Sequence, residues 1–165
     1  LKDEVALSKE KIKKLDVEPI IKSVVDDFNN IYKLKRGIQI SFVNDGKNKY
    51  HINGIENRVE QIIANLLDNA VSFSENNKGV TVKVSKMDDN KVVINILDEG
   101  QGFKEKDTNK IFRRFYSNRP DKFGEHSGLG LNIVKNLVDL HNATIKASNR
   151  IDRKGANIEI IFPKV

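Results

Sequence analysis

One long segment, Asp98 to Leu131, constrains this sequence most strongly: it begins with D-E-G-Q-G-F and ends with G-E-H-S-G-L-G-L. Between these glycine clusters lie about twenty polar, basic and aromatic residues without a helical or strand period, whereas connections in compact domains usually have about 4–6 residues. The second cluster opens into an apolar helix pattern, and glycine-rich backbone before a helix suits phosphate binding. Loops this long usually serve function. The segment therefore predicts a site for a phosphorylated ligand, covered by a lid.

Helical and strand patterns alternate on either side of this segment. Apolar residues at helical spacing predict helices over about 16–37, 56–73 and 128–142, with Asp16 capping the first and Gly37 ending it. One further helical turn is expected over 111–116. Alternating residues predict strands over about 38–43, 50–52, 80–84, 92–97, 144–148 and 156–162, with 50–52 as a partner of 38–43. This order predicts an α+β two-layer sandwich in which three helices cover one face of a mostly antiparallel sheet.

The first fifteen residues form a separate pattern. Leu1, Val5, Ile12 and Leu15 follow a heptad-like spacing, which indicates the end of a longer coiled helix. A frayed amphipathic tail is the alternative, because two heptads are too short to be stable alone. We therefore predict two parts: 1–15 as a helix end or linker, and 16–165 as one domain.

Composition narrows the possible partners and compartments. The chain has 29 lysines and arginines against 23 acidic residues, a net charge of +6, which is weak evidence for a polyphosphate ligand. No basic run carries interleaved aromatic residues, so no nucleic-acid partner is expected. The absence of cysteine excludes disulfides and thiolate zinc sites and fits the cytoplasm. No apolar run approaches the ~20 residues of a membrane span, and a first residue other than Met suggests an excised fragment.

Asp98 ends the most apolar strand pattern. A carboxylate buried there needs a hydrogen-bond donor, which is either a structural partner or an N–H group of a ligand such as the amine of a purine. Gly100 and Gly102 would allow a flat ring to approach the backbone.

Two asparagines on the second helix are candidates for a metal site. Asn65 and Asn69 lie four residues apart at the border of the apolar stripe, and an amide oxygen is a suitable ligand for Mg²⁺ that already binds phosphate oxygens. Helix-surface or core hydrogen-bonding roles are the alternatives. Gly124, Gly128 and Gly130, before the last helix, offer free N–H groups to an anion.

The lid itself is basic. Its cations could contact terminal phosphates, although solvated surface is the ordinary role of such residues, and two phenylalanines are expected to anchor its base to the core. These cations are Arg113, Arg114, Arg119 and Lys122, and the phenylalanines are Phe112 and Phe115.

Four motifs in order resemble the N, G1, F and G2 boxes of sensor histidine kinases: N-L-L-D-N-A (65–70), D-E-G-Q-G-F (98–103), I-F-R-R-F-Y (111–116) and G-L-G-L (128–131). The resemblance covers roughly residues 16 to 163. It implies the catalytic ATP-binding domain and its Bergerat fold, which gyrase-type, MutL-type and heat-shock-chaperone ATPases share.

The resemblance also implies roles for individual residues. Asn65 and Asn69 would lie on the magnesium side and Asp98 would read adenine. In the ATP-hydrolysing relatives the position of Asn65 is commonly a glutamate that activates water, and because an amide cannot act as that base, transfer to a protein side chain fits better than hydrolysis. The residue after F-Y is often arginine in the family and here is Ser117, so Arg114 or Arg119 would supply the charge at the transferred phosphoryl group. The remaining nucleotide contacts would be Gly100, Gly102, Phe112, Gly124, Gly128, Leu129 and Gly130.

Two departures from the family pattern matter. The segment after the N box usually carries a basic residue, whereas here it reads V-S-F-S (71–74), so Lys78 or a lid arginine must substitute. No histidine stands in the H-E/D motif of a phosphoacceptor: His51, His126 and His141 are followed by Ile, Ser and Asn. The acceptor is therefore expected upstream, with 1–15 as the end of the dimerisation helix or a linker.

The resemblance thus implies a protein-histidine kinase domain that uses ATP and Mg²⁺ and is incomplete without its acceptor. Its partners would be the phosphoacceptor domain of the same protein and a response regulator. The fragment is expected to be a cytoplasmic monomer, and its parent a homodimer with a possible membrane anchor. A non-catalytic nucleotide-sensing module and a serine kinase of the same fold are the alternatives.

Overall fold

The computed structural model describes residues 11–44, 46, 48–87, 89–104, 108–112 and 129–165, without the side chains of Asn109 and Leu129. The helices are α1 (Val17–Arg36), α2 (Glu56–Phe73) and α3 (Leu129–Leu140), and a short 3-10 turn covers Thr108–Phe112. The strands are β1 (Lys13–Asp16), β2 (Gln39–Asn44), β3 (His51–Gly54), β4 (Gly79–Lys86), β5 (Val92–Leu97), β6 (Thr144–Asn149) and β7 (Ala156–Phe162).

Five strands form one mixed sheet in the order β2-β4-β5-β7-β6. β2 runs parallel to β4, and the other neighbouring strands are antiparallel. Along β4, Val80, Val82 and Val84 are buried, while Lys83 between them is exposed. One face of the sheet is therefore the core face, which the helices cover, and this arrangement confirms the predicted α+β sandwich.

Helix α1 begins and ends where its sequence indicated. The side chain of Asp16 accepts a hydrogen bond from the backbone N–H of Glu18 at 3.1 Å, and Gly37 adopts φ 64° at the other end. The helix buries Val17, Ile21 and their neighbours against the sheet.

The N-terminal strand corrects two predictions. Leu15 lies in β1 and pairs with Ile52 of β3, so the heptad pattern does not continue as helix to Leu15. The predicted pairing of 50–52 with 38–43 is also wrong. Strand β3 pairs with β1 in a separate two-stranded antiparallel sheet, and not with β2. Pairing with β3 satisfies the backbone of a lysine-rich stretch whose own pattern is too short to specify a strand.

None of the described helices has the length and apolar character needed to cross a membrane.

Candidate functional site

Asp98 follows the central strand β5 and is only 2% exposed. Its Oδ1 accepts hydrogen bonds from two backbone N–H groups, that of Gly100 at 2.9 Å and that of Ala156 at 3.0 Å. Because an ionised carboxylate is expensive to bury without donors, these bonds fix the orientation of the group as well as stabilise it. The loop after β5 is therefore folded around the carboxylate of Asp98.

The turn between β6 and β7 also holds Asp98. Arg150 Nη1 donates to the backbone oxygen of Asp98 at 3.2 Å, and the N–H of Asp98 donates to the oxygen of Ala156 at 3.0 Å. A Cβ at Gly155, where φ is 146°, would collide with that same oxygen of Asp98. Asp152 in turn holds Arg150 through Nη2 at 2.8 Å, and this bond lowers the pKa of Asp152 to about 2.

The next residue, Glu99, links the loop to β4 and to the same turn. Its Oε2 accepts from the N–H of Gly79 at 2.7 Å, and its Oε1 accepts from Arg153 Nη1 at 3.2 Å. The bond from Gly79 and the nearby Arg153 guanidinium lower the pKa of Glu99. The carboxylate of Glu99 is therefore used within the protein.

Gly102 and Phe103 are held by Asn149, the last residue of β6. The Asn149 side chain accepts from the N–H of Phe103 at 2.6 Å and donates to its oxygen at 3.0 Å. Gly102 has φ 77°, and a Cβ there would lie 2.5 Å from the Asn149 side-chain oxygen. The close approach of Asn149 is therefore one reason why position 102 is a glycine, in addition to the expected access of a flat ring.

Asn65 and Asn69 lie on α2 and are half-buried, and their side-chain amides make no hydrogen bond to another described residue. Two carboxamide oxygens on one side of a helix fit a hard cation that takes its other ligands from phosphate and water. No cluster of three or more His, Cys, Asp or Glu in the described part of the chain could hold a metal. The donor set therefore fits Mg²⁺ bound together with a phosphate group and does not fit a metal held by protein alone.

The first turn of α3 contains Leu129 and Gly130. Gly130 is exposed, and a Cβ placed on it would meet no atom within 4 Å. The open space beside this turn, and the N–H groups that the first turn of a helix leaves without intrahelical acceptors, fit an anion such as a phosphate.

A positively charged side chain, that of Arg36, lies at the end of α2, the helix of the two asparagines, and its role is structural. Arg36, the last residue of α1, donates from Nη1 to the oxygen of Val71 and from Nη2 to that of Ser74, both at 2.6 Å. These bonds satisfy carbonyl groups that the last turn of α2 leaves without helical partners. In the segment 71–74, which usually carries a basic residue, Ser72 donates its hydroxyl to the oxygen of Asp68 at 2.7 Å.

His141 ties α3 to α2. Its Nε2 accepts from the N–H of Ile55, the residue before α2, at 3.2 Å, so its Nδ1 carries the proton and donates to the oxygen of Leu137 at 2.7 Å. The residue is 4% exposed. Both ring nitrogens are thus engaged, which agrees with the expectation that His141 is not a phosphoacceptor.

The lid is described only at its base. Phe112 is buried in the core, as expected of an anchor, and its expected contact with nucleotide remains a prediction. Lys78, a possible substitute for the missing basic residue, is exposed and lies near Glu99. The other expected lid residues lie outside the described part of the chain: Arg113, Arg114, Phe115, Arg119, Lys122, Gly124, His126 and Gly128.

Sequence reasoning missed the residues that hold the site in place. Asn149, Arg150 and Gly155 lie in the connection between two predicted strands, and Arg36 lies at the end of a predicted helix, where no motif singles them out. Gly155 was the one available signal, because a glycine next to a strand can mark the close approach of another backbone.

A protein-family model described as histidine kinase-, DNA gyrase B-, and HSP90-like ATPase matches residues 54–165. The sensor protein ChvG of Agrobacterium fabrum is 35% identical over 86% of this chain and 25% of its own length. The chain thus spans about a quarter of the length of this curated relative.

Solved structures share the fold. The catalytic domain of the histidine kinase ThkA has a TM-score of 0.79 at 23% identity, covering 93% of this chain and 96% of that one. ThkA in complex with the response regulator protein TrrA has a TM-score of 0.76 at 23% identity, covering 99% of this chain and 46% of that one.

Proposed function

The chain belongs to the family of histidine kinase-, DNA gyrase B-, and HSP90-like ATPases, and we propose that it is the ATP-binding catalytic domain of a sensor histidine kinase. In this role it presents ATP so that the γ-phosphoryl group passes to a histidine nitrogen on a separate helical domain, leaving ADP. The whole-protein activity belongs to a longer polypeptide, as in the relatives that this chain matches over a quarter of their length.

The observation that carries the proposal is the buried, prefolded carboxylate of Asp98. Two backbone N–H groups fix its Oδ1, so the group is oriented before any ligand arrives and binding requires no reorganisation. A carboxylate accepts hydrogen bonds, and the amine of adenine donates them. Asp98 then selects adenine, with Gly100 and Gly102 forming the loop beside the ring.

The asparagines of α2 would hold the metal. Mg²⁺ supplies charge neutralisation at the phosphate oxygens when it is bound. Asn65 and Asn69 would hold it through their amide oxygens, and neither amide can remove a proton from water. This composition favours transfer to a protein nucleophile over hydrolysis.

The start of α3 would hold the phosphates. The backbone N–H groups of Leu129 and Gly130 would bind the phosphate oxygens, and Gly124 and Gly128 would add further N–H groups. Arg114 and Arg119 neutralise charge that develops on the transferred group. Rate acceleration then comes from positioning and electrostatics.

The partners follow from the reaction. The acceptor would be the dimerisation domain of the same protein, with the end of its last helix, or a linker, before β1. The product phosphohistidine would then donate its phosphoryl group to a response regulator. The fragment itself acts as a cytoplasmic monomer, and the homodimeric parent brings domain and acceptor together.

Phosphotransfer to an acceptor tests the proposal. The chain is mixed with a separately made dimerisation domain of a related sensor kinase, labelled ATP and Mg²⁺, and acid-labile phosphate on that domain is measured. Label should appear only when both proteins are present and should disappear when the acceptor histidine is replaced by glutamine. ATP binding without any transfer would instead support a nucleotide-sensing module. This module is the second candidate because Ser72 has a hydroxyl group in the segment that usually carries a basic residue.

A further inference from the structure

A second cluster of positive charge surrounds a cavity away from Asp98. The cavity has a volume of about 220 Å³ and lies between the β1–β3 sheet and the ends of β4 and β7. Its polar lining consists of four lysines, one histidine and one asparagine: Lys14, Lys49, His51, Lys86, Asn90 and Lys164. We refer to this site as the lysine cavity.

The lysine cavity is separate from the candidate nucleotide site. Lys86 pairs with Val92 at the start of β5, whereas Asp98 follows the end of the same strand. Six residues of strand at about 3.3 Å each separate the two sites by roughly 20 Å. A nucleotide bound at Asp98 therefore does not fill the lysine cavity.

The charge of the cavity is not balanced within the described part of the chain. No acidic side chain of a described residue lines it, and its four lysines form no ion pair with another described side chain. Val165, the last residue of the chain, also lines the cavity, and its carboxyl group offsets only one of the four charges. The acidic side chains described nearby serve other groups: Asp16 caps α1, Glu18 accepts from Asn44, and Asp89 pairs with Lys91 at 3.2 Å. Four like charges around one cavity repel one another, and a bound anion would relieve that repulsion.

The lysines come from different parts of the fold. Lys14 and His51 belong to the β1–β3 sheet, Lys86 ends β4, and Lys164 follows β7. One anion in contact with all of them would join the small sheet to the large one. We propose that the lysine cavity binds a small multivalent oxyanion of the phosphate or polycarboxylate class.

The size of the cavity supports a small ligand. Its volume equals that of about seven water molecules in the liquid, and it is smaller than the roughly 300–1,000 Å³ of pockets for drug-sized ligands. Lysine ammonium groups act as point charges without a preferred fork geometry, so both phosphates and carboxylates suit them. Pyrophosphate is therefore a suitable probe, and a whole nucleotide is not.

Calorimetric titration of pyrophosphate into the 165-residue chain tests the proposal, with excess ADP present and divalent metal absent. The site variant is Lys86→Gln/Lys164→Gln. The matched control is Lys22→Gln/Lys83→Gln, which removes the same charge from exposed positions on α1 and β4. The site variant should bind pyrophosphate about 2- to 30-fold more weakly than the unmodified chain, from the usual energies of two exposed charge pairs, and the control should not change.

Thermal unfolding at low ionic strength gives a second measurement. Pyrophosphate should raise the Tm of the unmodified chain and of the control, whereas the site variant should show a higher Tm without anion and a smaller rise with it. ADP affinity should be the same in all three proteins.

Three outcomes would overturn the proposal. Equal weakening in the site variant and the control would mean that only net charge matters, and a lack of saturable pyrophosphate binding would mean that no site exists. A glutamate-rich peptide that binds through Lys86 and Lys164, where pyrophosphate does not, would make the cavity a protein docking surface instead.

Discussion

Asn149 binds Phe103 as a neighbouring strand would, with its side-chain amide accepting from the backbone N–H at 2.6 Å and donating to the backbone oxygen at 3.0 Å. Through this pair, the last residue of β6 fixes the end of the loop that starts at Asp98.

Replacement of Asn149 by alanine should loosen that loop. The change removes two hydrogen bonds and leaves the backbone groups of Phe103 unsatisfied, at a cost of about 1–3 kcal/mol in the free energy of unfolding. Adenine-nucleotide affinity should fall as well. Urea unfolding and nucleotide titration measure the two effects, and Asn53→Ala, at an exposed position of β3, is the control. Wild-type affinity in Asn149→Ala would show that the loop keeps its shape without this side chain.

Two glycine substitutions should have opposite effects on stability. Gly155→Ala places a Cβ against the oxygen of Asp98 at an unfavourable φ, so both stability and nucleotide affinity should fall. Gly130→Ala has free space and lies in a helix, so stability should rise by up to about 0.5–1 kcal/mol. Its nucleotide affinity should nevertheless fall if phosphates occupy that space. Thermal unfolding together with nucleotide titration separates the cases, and unchanged affinity in Gly130→Ala would remove the phosphate assignment.

Asp98→Asn should keep the fold but bind adenine nucleotides more weakly. The amide oxygen can still accept from Gly100 and Ala156, but the substitution removes the charge and one acceptor. Loss of one hydrogen bond to a charged group lowers affinity about 10- to 150-fold. Titration with a fluorescent adenine nucleotide measures this loss, with a guanine nucleotide as comparison. Tight adenine binding by the variant would refute the role of Asp98.

Arg36→Ala should destabilise the end of α2. The substitution leaves the oxygens of Val71 and Ser74 without their donor, which costs about 1–3 kcal/mol for each group that is left unsatisfied. Arg36→Lys keeps the charge but lacks the fork that reaches both oxygens, so it should restore only part of the loss. Chemical unfolding measures these differences against Lys35→Ala at the exposed neighbouring position. A full restoration by lysine would mean that charge alone is needed.

Glu99 should contribute stability at neutral pH and lose it in acid. The N–H of Gly79 and then Arg153 lower its pKa below the ordinary value of 4.5. Because the folded pKa is the lower one, this contribution is complete above 4.5 and disappears as the pH falls through the folded value. Glu99→Gln should therefore be less stable than the unmodified chain at pH 7, and the difference should shrink toward pH 3. Urea unfolding across this range measures it, and a difference independent of pH would exclude this ionisation.

Most helices and strands and the four family motifs were predictable because their signals are local. Helix α1 carries its own cap, apolar stripe and terminal glycine, and the four motifs are short runs of adjacent residues. The supports of the site were not predictable. Asn149 and Phe103 are 46 positions apart, and Arg36 and Val71 are 35 apart, so no local pattern connects them.

The wrong prediction of a helix at β1 also arises because the deciding contact is distant in the sequence. Ile12 and Leu15 fit a heptad spacing by themselves, and only the distant β3 makes this stretch a strand. A two-stranded pairing of this kind leaves almost no periodic signal in four residues.

The bond from Ile55 to His141 has a geometric consequence for the site. Helices α2 and α3 pack together, and the bond joins the start of one to the end of the other, so they run in opposite directions. Counted from this tie, Gly130 is eleven residues back along α3 and Asn65 is ten residues forward along α2, or about 16 Å and 15 Å at 1.5 Å per residue. The proposed phosphate side and metal side therefore lie at nearly the same height, because Gly130 and Asn65 are almost equally far from this tie along their helices. One residue inserted into either helix would move its side by about 1.5 Å and turn it by about 100°.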